Sequence, residues 1–423
     1  MMKTTEYFET FNKVFDSWNE NQVLWCIVRN YEFLAEKQFY EGGDLDVLVR
    51  KEHVDTAQQV LLKTGFIRLV ISPFSPHRAY VKYVPECQRM ISIHFHIDDV
   101  HGPHLAYFPG NQLFSRRKKI KNYFVPDDCD YYCLLLLHCI LNKGTFTEKY
   151  IDRIKKLVKK CRPQEVEKRL TFALGERWAK VVSSRSDLTP HINRIKRYFQ
   201  LRSFHRYMWI TYGSCAWGLT KVFAPCPLVS IIGMDGAGKT TVTQNIEEIF
   251  KKSLVKCTVL YTGRGKGNVL PIQAIGRRVK TKVDRAENNG ESRWTKVLRT
   301  MAAPVFALDL WVRYWFKIFP KRMRMHIVIT DRYASDILLM KHVPQFLKNL
   351  LFLVMPKASE TVYLYNKPEV LHKRKPDHDL EDLKRQEKLF ETIVAKTHAT
   401  KVLSDTPEKT LNKVMEIVIN KLK

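Results

Sequence analysis

The chain has 423 residues, of which 45% are hydrophobic and 27% charged, a composition typical of two or three globular domains. The formal net charge of +28 favours nucleic acid, anionic lipid or phosphorylated small molecules as partners. The 9 cysteines are scattered along the chain, which favours reduced thiols over a disulfide framework. Neither a membrane-spanning apolar run nor a secretory signal is apparent, so we expect a cytoplasmic protein.

Residues 1–125 are predicted to form a domain built around a mixed sheet. Short apolar runs separated by turn residues predict strands, and one helical pattern lies between two of them. The runs are VLWCIV, DLDVLV, RLVIS, AYVKYV and MISIHFHI, and the helix is EHVDTAQQVLLKTG.

Residues 126–222 are predicted to form a helical region and a linker. The segment DCDYYCLLLLHCILNKG is strongly apolar and ends at Gly144, which could cap a helix. Basic helical patterns follow in YIDRIKKLVKK and HINRIKRYFQLRSFHRY. We interpret CAWGLTKVFAPCP as the linker, because proline stops a helix.

Residues 223–423 are predicted to form a parallel sheet with helices on both faces. Short apolar runs alternate with helical patterns here, as in LVSII, CTVLY, HIVIT, TVYLY and KVLS. The helix after the first run carries Val242, Ile246, Ile249 and Phe250 on one face. The expected fold class is therefore α/β for this domain and α+β for the N-terminal one.

A glycine-rich loop in the sequence IIGMDGAGKTT connects the first of these strands to its helix. Backbone N–H groups that converge at a helix N-terminus hold phosphate well, and glycines let the backbone approach it closely. In this pattern the lysine reaches the β- and γ-phosphates and the threonine hydroxyl coordinates Mg²⁺. We therefore predict an ATP and Mg²⁺ site formed by Gly233, Asp235, Gly236, Ala237, Gly238, Lys239, Thr240 and Thr241.

Three segments resemble thymidylate kinases, and the resemblance covers about residues 228–423. GMDGAGKTT resembles their phosphate loop, VITDRYASD their Asp-Arg-aromatic triplet, and ETVYLYNKPEVLHKRK the strand and basic helix that lead to their lid. The resemblance implies a P-loop kinase that phosphorylates a nucleoside monophosphate or a related small phosphorylated acceptor. It also implies a homodimer, since kinases of this family are often dimers.

The resemblance further implies roles for individual residues. Asp235 would face the sugar hydroxyl of the acceptor, and Asp331 would orient Mg²⁺ through water. Arg332 would hold the acceptor phosphate. These three residues and Lys239 form the expected catalytic set. Asp331 could instead cap the following helix, and a run of basic residues could be a solvated face. The expected lid cations are Arg374, Lys375, Lys384 and Arg385, and the expected pair lining the acceptor pocket is Asp309 and Arg313.

Two stretches depart from the family pattern and leave the acceptor open. YTGRGKG stands where the family has Arg-Glu-Pro-Gly-Gly, and ASDILLMKH follows the triplet in place of the usual pattern of small residues and glutamine. Both elements help the family to bind thymine. Arg264 and Lys266 could hold an anion together with backbone N–H groups, or the segment could be a flexible loop.

The sequence EGGDLDVLVR indicates a second site. Asp44 and Asp46 follow Gly42-Gly43 and share one face of a strand, so both carboxylates point the same way. Paired carboxylates are what Mg²⁺ needs to hold a nucleoside triphosphate. Over about residues 21–124 the pattern resembles the nucleotidyltransferase superfamily of DNA polymerase beta. The domain would be either an active transferase or a degenerate, substrate-binding copy.

That superfamily uses a third carboxylate on a later strand, and MISIHFHIDD is the best candidate for this strand. His94 and His96 take its expected inward positions, and Asp98 shares their parity near the strand end. The histidines could instead form a zinc site with Asp98, His101 and His104, or they could have a structural role.

Two basic, aromatic segments fit either a buried helix or contact with an anionic membrane surface. They are RIKRYFQLRSFHRYMWITYG and MAAPVFALDLWVRYWFKIFPKRMRM. The leading hypothesis is a phosphotransferase, and membrane contact would make it peripheral to the bilayer. A second is nucleotide transfer through Asp44 and Asp46 with a regulatory P-loop domain, and a third is non-catalytic binding of nucleotide, nucleic acid or an anionic surface.

Overall fold

The computed structural model describes residues 2–36, 39, 44–102, 105–184, 188–263, 293–340, 343–376 and 379–422. The protein is mixed α/β and divides into two compact units, the first formed by residues up to 219 with residues 252–254, the second by residues 220–251 and 255–422. No helix in the described ranges is long and apolar enough to cross a membrane.

Short strands form one mixed sheet and two small sheets in the first unit. They are β1 Trp25–Ile27, β2 Leu45–Val49, β3 Ile67–Arg68, β4 His77–Val84, β5 Arg89–Ile97, β6 Val100–His101, β7 Ala106–Phe108, β8 Lys118–Ile120 and β9 Tyr123–Val125. The mixed sheet has the order β1-β2-β5-β4-β3, in which β2 and β5 are parallel and the other neighbours antiparallel. The expectation of a strand over RLVIS is mostly wrong, because β3 ends at Arg68. The residues beyond lead to Pro73 and Pro76, which lack the N–H that a strand ladder needs.

Nine described helices belong to the first unit. They are α1 Met2–Glu20, α2 Glu32–Glu36, α3 Val54–Lys63, α4 Gly110–Arg116, α5 Asp128–Leu137, α6 Glu148–Val158, α7 Pro163–Ser184, α8 Ile192–Arg202 and α9 Phe204–Thr220. A π-helical turn extends α5 to Gly144, whose φ of 73° is the left-handed cap that the sequence predicts. The predicted linker is partly wrong, because α9 continues through CAWGLT to Thr220.

Strand β2 is buried in the core of the first unit, where its side chains pack with residues of helices α1, α3 and α5. Trp18 of α1 packs edge-on against Trp25 of β1 with ring centroids 5.0 Å apart, and Phe15 stacks on Trp25 at 5.0 Å. All five residues of β2 are buried. Polar side chains on this strand are therefore desolvated and need partners within the protein.

The second unit contains a five-stranded sheet, and every pair of neighbouring strands is parallel. The strands are β10 Leu228–Gly233, β11 Cys257–Tyr261, β12 Ile327–Asp331, β13 Glu360–Tyr365 and β14 Thr400–Leu403. Their order is β11-β12-β10-β13-β14. This arrangement confirms the predicted parallel sheet of an α/β domain.

Helices connect these parallel strands. They are α10 Lys239–Lys251, α11 Arg293–Arg313, α12 Phe319–Met323, α13 Ser335–Leu338, α14 Gln345–Leu353, α15 Pro368–Arg374, α16 Leu380–Thr397 and α17 Pro407–Asn420. All six residues of β10 are buried, and successive side chains point to opposite faces, so helices cover both faces of the sheet. The predicted apolar face of α10 is buried as expected.

Candidate functional site

The glycine-rich loop lies where β10 ends and α10 begins. Gly233 and Gly236 have φ angles of 155° and 85°, which side-chain-bearing residues rarely adopt. A Cβ at Gly233 would collide with the carbonyl oxygen of Leu364, and one at Gly236 would lie 3.0 Å from that of Leu371. Glycine is therefore required at both positions by conformation and by space. The loop leads directly into the first turn of α10, whose N–H groups have no partner within the helix.

Lys239 is the first residue of α10, and its side chain turns back over the loop. Its Nζ donates a hydrogen bond to the carbonyl oxygen of Met234 at 2.9 Å and lies 3.6 Å from Oδ1 of Asp235. Burial, together with the charge of Arg332, lowers the pKa of Lys239. The loop thus has an ammonium group beside it, close to one carboxylate.

Thr240 and Asp331 come together at the carboxyl edge of the sheet. The strands β10 and β12 are parallel and pair Ile231 with Asp331, so their ends meet at this edge. Thr240 Oγ1 donates to Asp331 Oδ2 at 2.7 Å. The other carboxylate oxygen, Oδ1, is buried and has no hydrogen-bond partner among the described residues. A hydroxyl and a carboxylate oxygen side by side are suitable ligands for Mg²⁺, directly or through water.

Arg332 lies next to the loop in a left-handed conformation with φ of 67°. Two hydrogen bonds hold this backbone: its N–H donates to Ile231 O at 2.9 Å, and its carbonyl accepts from the Thr262 hydroxyl at 2.6 Å. The guanidinium lies 2.5 Å from Oδ1 of Asp235 and 3.8 Å from Oδ1 of Asp336. Burial lowers the pKa of Arg332, but Asp336 and Asp235 outweigh it and the pKa is raised. The catalytic set expected from the sequence is therefore contiguous.

Arg374 lines an open pocket of about 560 Å³ beside the loop, together with Gly236, Gly238 and Thr241. It is held there by hydrogen bonds to the hydroxyl and carbonyl of Ser404 at 2.9 and 3.0 Å. Ser404 was not predicted as a site residue, although it ends the predicted run KVLS and directly follows β14. A segment after the last strand of a parallel sheet lies at the same carboxyl edge as the loop.

The other expected lid cations are arranged differently. Lys375 borders the loop, because a Cβ atom added to Gly236 would lie 3.6 Å from the Cβ of Lys375. The described contacts of Lys384 and Arg385 are with Glu369 at 4.0 Å and with Asp382 at 2.5 Å. These are exposed surface ion pairs rather than contacts with the loop.

The expected pair in the acceptor pocket, Asp309 and Arg313, forms a buried ion pair one turn apart on α11. Arg313 also donates to the carbonyl oxygen of Gly263 at 3.4 Å. Arg264 and Lys266 follow Gly263 and lie outside the described residues.

In the first unit, Asp46 is enclosed by cations and imidazoles. Its Oδ2 accepts two hydrogen bonds from Arg29, from Nε at 3.1 Å and from Nη2 at 2.6 Å. Its Oδ1 lies 3.2 Å from Nδ1 of His94 and 3.2 Å from Nε2 of His96. Arg29 also contacts His138. Both oxygens of Asp46 are therefore already bound within the protein.

Backbone pairing explains this arrangement. In the parallel pair of β2 and β5, Asp46 lies opposite His94, and Leu48 lies opposite His96. The antiparallel pairing of β5 with β4 adds His77 opposite His96. Arg29, which follows β1, and His77 were not identified from the sequence, because only the strand register brings them to Asp46.

The charges of this cluster are coupled. Burial raises the pKa of Asp46, but Arg29 and the two histidines outweigh it and hold the pKa well below its usual range. Burial and the charge of Asp46 raise the pKa of Asp44. Burial lowers the pKa of His94, but its contacts with Asp44 and Asp46 raise it to about 9. Burial lowers the pKa of His96 to about 4.

Candidate ligand atoms of Asp44, Asp46 and His94 lie within 4.8 Å of one another, so the expected metal site of Asp44 and Asp46 stays a prediction, but the oxygens of Asp46 already have partners. Asp46 offers no oxygen that Arg29 or a histidine does not already engage. At the position of the expected third carboxylate, the neighbouring strand presents His94. Asp98 instead accepts a hydrogen bond from the Lys51 amide at 2.9 Å.

The proposed zinc residues are brought together only in part. Candidate ligand atoms of His77, His94 and His96 lie within 4.8 Å of one another. The His101 amide, however, donates to Nδ1 of His96 at 3.1 Å, so Nε2 of His96 carries its proton and bonds Asp46. His96 therefore positions Asp46 rather than offering a lone pair to a metal. His104 lies outside the described residues, as do Gly42 and Gly43.

No protein-family model matches this chain, and no curated protein is significantly similar to it. The functional conclusion therefore depends on the geometry of the two sites.

Proposed function

We propose that the second unit is an ATP- and Mg²⁺-dependent phosphotransferase acting on a nucleoside monophosphate or a related small phosphorylated acceptor. The supporting observation is the glycine loop at a strand-to-helix junction, with Lys239 beside it and Thr240 bonded to Asp331. A loop of this kind is a P-loop, in which backbone N–H groups, a lysine and a threonine hydroxyl hold a triphosphate.

In this proposal the loop and the first turn of α10 bind the phosphates of ATP. Lys239 exchanges the Met234 carbonyl for phosphate oxygens, and Thr240 with Asp331 would hold Mg²⁺. The ion, when bound, neutralises charge on the β- and γ-phosphates. Arg374 and Ser404 line the adjoining pocket, which would receive the nucleoside part of ATP. Phosphoryl transfer depends mainly on positioning and positive charge, and these residues supply both.

Arg332 would bind the phosphate of the acceptor. Its present partner, Asp235 at 2.5 Å, would then be released to accept a hydrogen bond from an acceptor hydroxyl. An oxygen of the acceptor phosphate forms the new bond to the γ-phosphorus as the bond to the bridging oxygen breaks, and ADP leaves. Bidentate guanidinium contacts suit a phosphate that must be held in one orientation.

For the first unit we propose a nucleotidyltransferase-like sheet without transferase activity. The supporting observation is the binding of both Asp46 oxygens by Arg29 and the histidines. The proposed kinase would act in the cytoplasm, where ATP is available and thiols stay reduced; all 9 cysteines are free.

The test is ATP turnover with nucleoside monophosphates and sugar phosphates as acceptors, using Lys239→Ala. We expect turnover to fall by at least about 10²-fold, because a charge contact to the transferred group is lost. Lys251→Ala is the matched control, since this lysine ends the same helix in a surface ion pair with Glu247 at 3.8 Å. Undiminished turnover in a folded Lys239→Ala protein would refute the proposal.

A further inference from the structure

Helices α8 and α9 carry an exposed apolar stripe. Within each helix, every member of the stripe lies three or four residues from another member, so the members share one side of that helix. Their exposed fractions run from 39% for Tyr198 to 72% for Tyr212. The apolar stripe consists of Tyr198, Leu201, Phe204, Met208, Trp209 and Tyr212.

Basic side chains flank the apolar stripe. Arg194, Arg197, Arg202 and Arg206 are all exposed. Among the described residues no ion pair joins any of these arginines to a carboxylate. Arg202 donates a hydrogen bond to the backbone carbonyl of Phe172. The sequence from residue 188 to residue 234 contains no aspartate or glutamate. The positive charge of this surface is therefore not neutralised by acids of its own segment.

The opposite side of the same helices packs against other parts of the first unit. Ile192 and Ile195 are buried in the core around α5. Ile210 is 8% exposed, and the buried Gly213 lies so close to the Phe74 ring that a Cβ there would be 2.6 Å from it. The helices are thus anchored by one side and present the apolar stripe outward as a formed surface.

We propose that the apolar stripe and its flanking arginines dock the first unit on a bilayer surface that contains anionic lipid. Tryptophan and tyrosine favour the membrane–water interface, and aliphatic side chains enter the boundary between headgroups and acyl chains. Arginines at the edges of such a stripe are attracted by anionic headgroups. In this proposal α8 and α9 would lie along the membrane surface, with the apolar stripe facing the acyl chains.

Lipid explains this surface better than nucleic acid does. Leu201 and Met208 are 59% and 46% exposed, and such apolar side chains give no contact to a phosphate backbone, which needs cations. Burial of these side chains in a bilayer removes apolar area from water. The inference goes beyond the proposed kinase reaction and does not depend on it.

The experiment is co-sedimentation of the full chain with vesicles of phosphatidylcholine alone or with about one third phosphatidylglycerol. We expect binding to the anionic vesicles at least about tenfold tighter than to the neutral ones, and weaker binding at high salt. Leu201→Ser/Tyr212→Ser should lower the affinity for anionic vesicles about tenfold or more. Phe346→Ser in the second unit is the matched control, since Phe346 is 73% exposed, and it should bind as the unaltered chain does.

A retained circular dichroism spectrum would show that the double variant is folded. Lys239→Ala should bind vesicles normally, which separates this inference from the proposed catalysis. Arg197→Glu/Arg202→Glu should abolish the preference for anionic vesicles. Equal binding to both vesicle types, or full binding by the double variant, would overturn the proposal. The proposal would also be overturned if the chain did not bind vesicles and the double variant instead lost dimer formation in gel filtration or lost binding to an oligonucleotide.

Discussion

The two histidines beside Asp46 predict that the stability of the first unit has a maximum near pH 6.5. Burial lowers the pKa of His94, but its contacts with Asp44 and Asp46 raise it from the ordinary 6.5 to about 9. A histidine whose pKa is higher in the folded state stabilises the fold fully below its unfolded pKa. That stabilisation is lost as the pH rises from about 6.5 through about 9.

His96 acts in the opposite direction. Burial lowers its pKa to about 4 despite the contact with Asp46, so the folded state resists protonation. Stability therefore falls as the pH drops from about 6.5 to about 4. At about 1.4 kcal/mol per pKa unit, each arm corresponds to about 3 kcal/mol of the free energy of unfolding. No large discount for solvent screening applies, because the side chains of His94 and His96 are 23% and 2% exposed.

The assay is urea unfolding of the full chain at a series of pH values from about 4 to about 10, followed by tryptophan fluorescence. Trp18 and Trp25 are buried in the first unit and report its unfolding. His94→Gln should flatten the alkaline arm and leave the acid arm. His96→Gln should leave the alkaline arm and only reduce the acid arm, because burial also lowers the pKa of His77 and of His138. His205→Gln, at an exposed position, should change neither arm. An unaltered alkaline arm in the His94→Gln protein would show that the assignment of this proton is wrong.

Three further predictions concern single substitutions. Arg29→Met should destabilise the first unit by about 3–5 kcal/mol in urea unfolding, because it leaves Asp46 buried without its cation. Arg78→Met should cost less than about 1 kcal/mol, because its ion-pair partner Asp55 is 90% exposed. Gly236→Ala should lower both the melting temperature and ATP turnover, because its φ is 85°, while Gly218→Ala, in α9 with no atom within 4 Å of the new Cβ, should not. Thr240→Val should raise the Mg²⁺ concentration needed for half-maximal turnover at least about tenfold, and an unchanged Mg²⁺ dependence would remove the threonine from the metal site.

The parallel sheet of the second unit could be predicted because its signals are local. Each strand is a short apolar run followed by a helical pattern, and the glycine loop marks one junction between them. The pattern of the glycine loop also predicts that Lys239 and Thr240 lie at the start of the following helix. The bond from Thr240 to Asp331 was not predicted, since 91 residues separate the two side chains; both residues were expected only to serve the same Mg²⁺.

The cluster in the first unit could be predicted only in part. Asp44, Asp46, His94 and His96 alternate along two apolar runs, and this pattern is visible in the sequence. The role of Arg29 is not visible, because it depends on β1 pairing with β2 and on burial of the whole strand. A buried carboxylate needs a cation, but the sequence does not say which of the many arginines supplies it.

Two buried aspartates on strands show why we assign the chemistry to the second unit. Asp46 and Asp331 are both buried, with 3% and 3% of their surfaces exposed. Arg29 and two histidines satisfy every oxygen of Asp46, so a metal ion could bind there only by displacing a cation already in place. Asp331 has a hydroxyl on one oxygen and no partner on the other among the described residues. A buried oxygen left without a donor costs stability unless a ligand completes it, and Mg²⁺ at the mouth of a phosphate loop would do so.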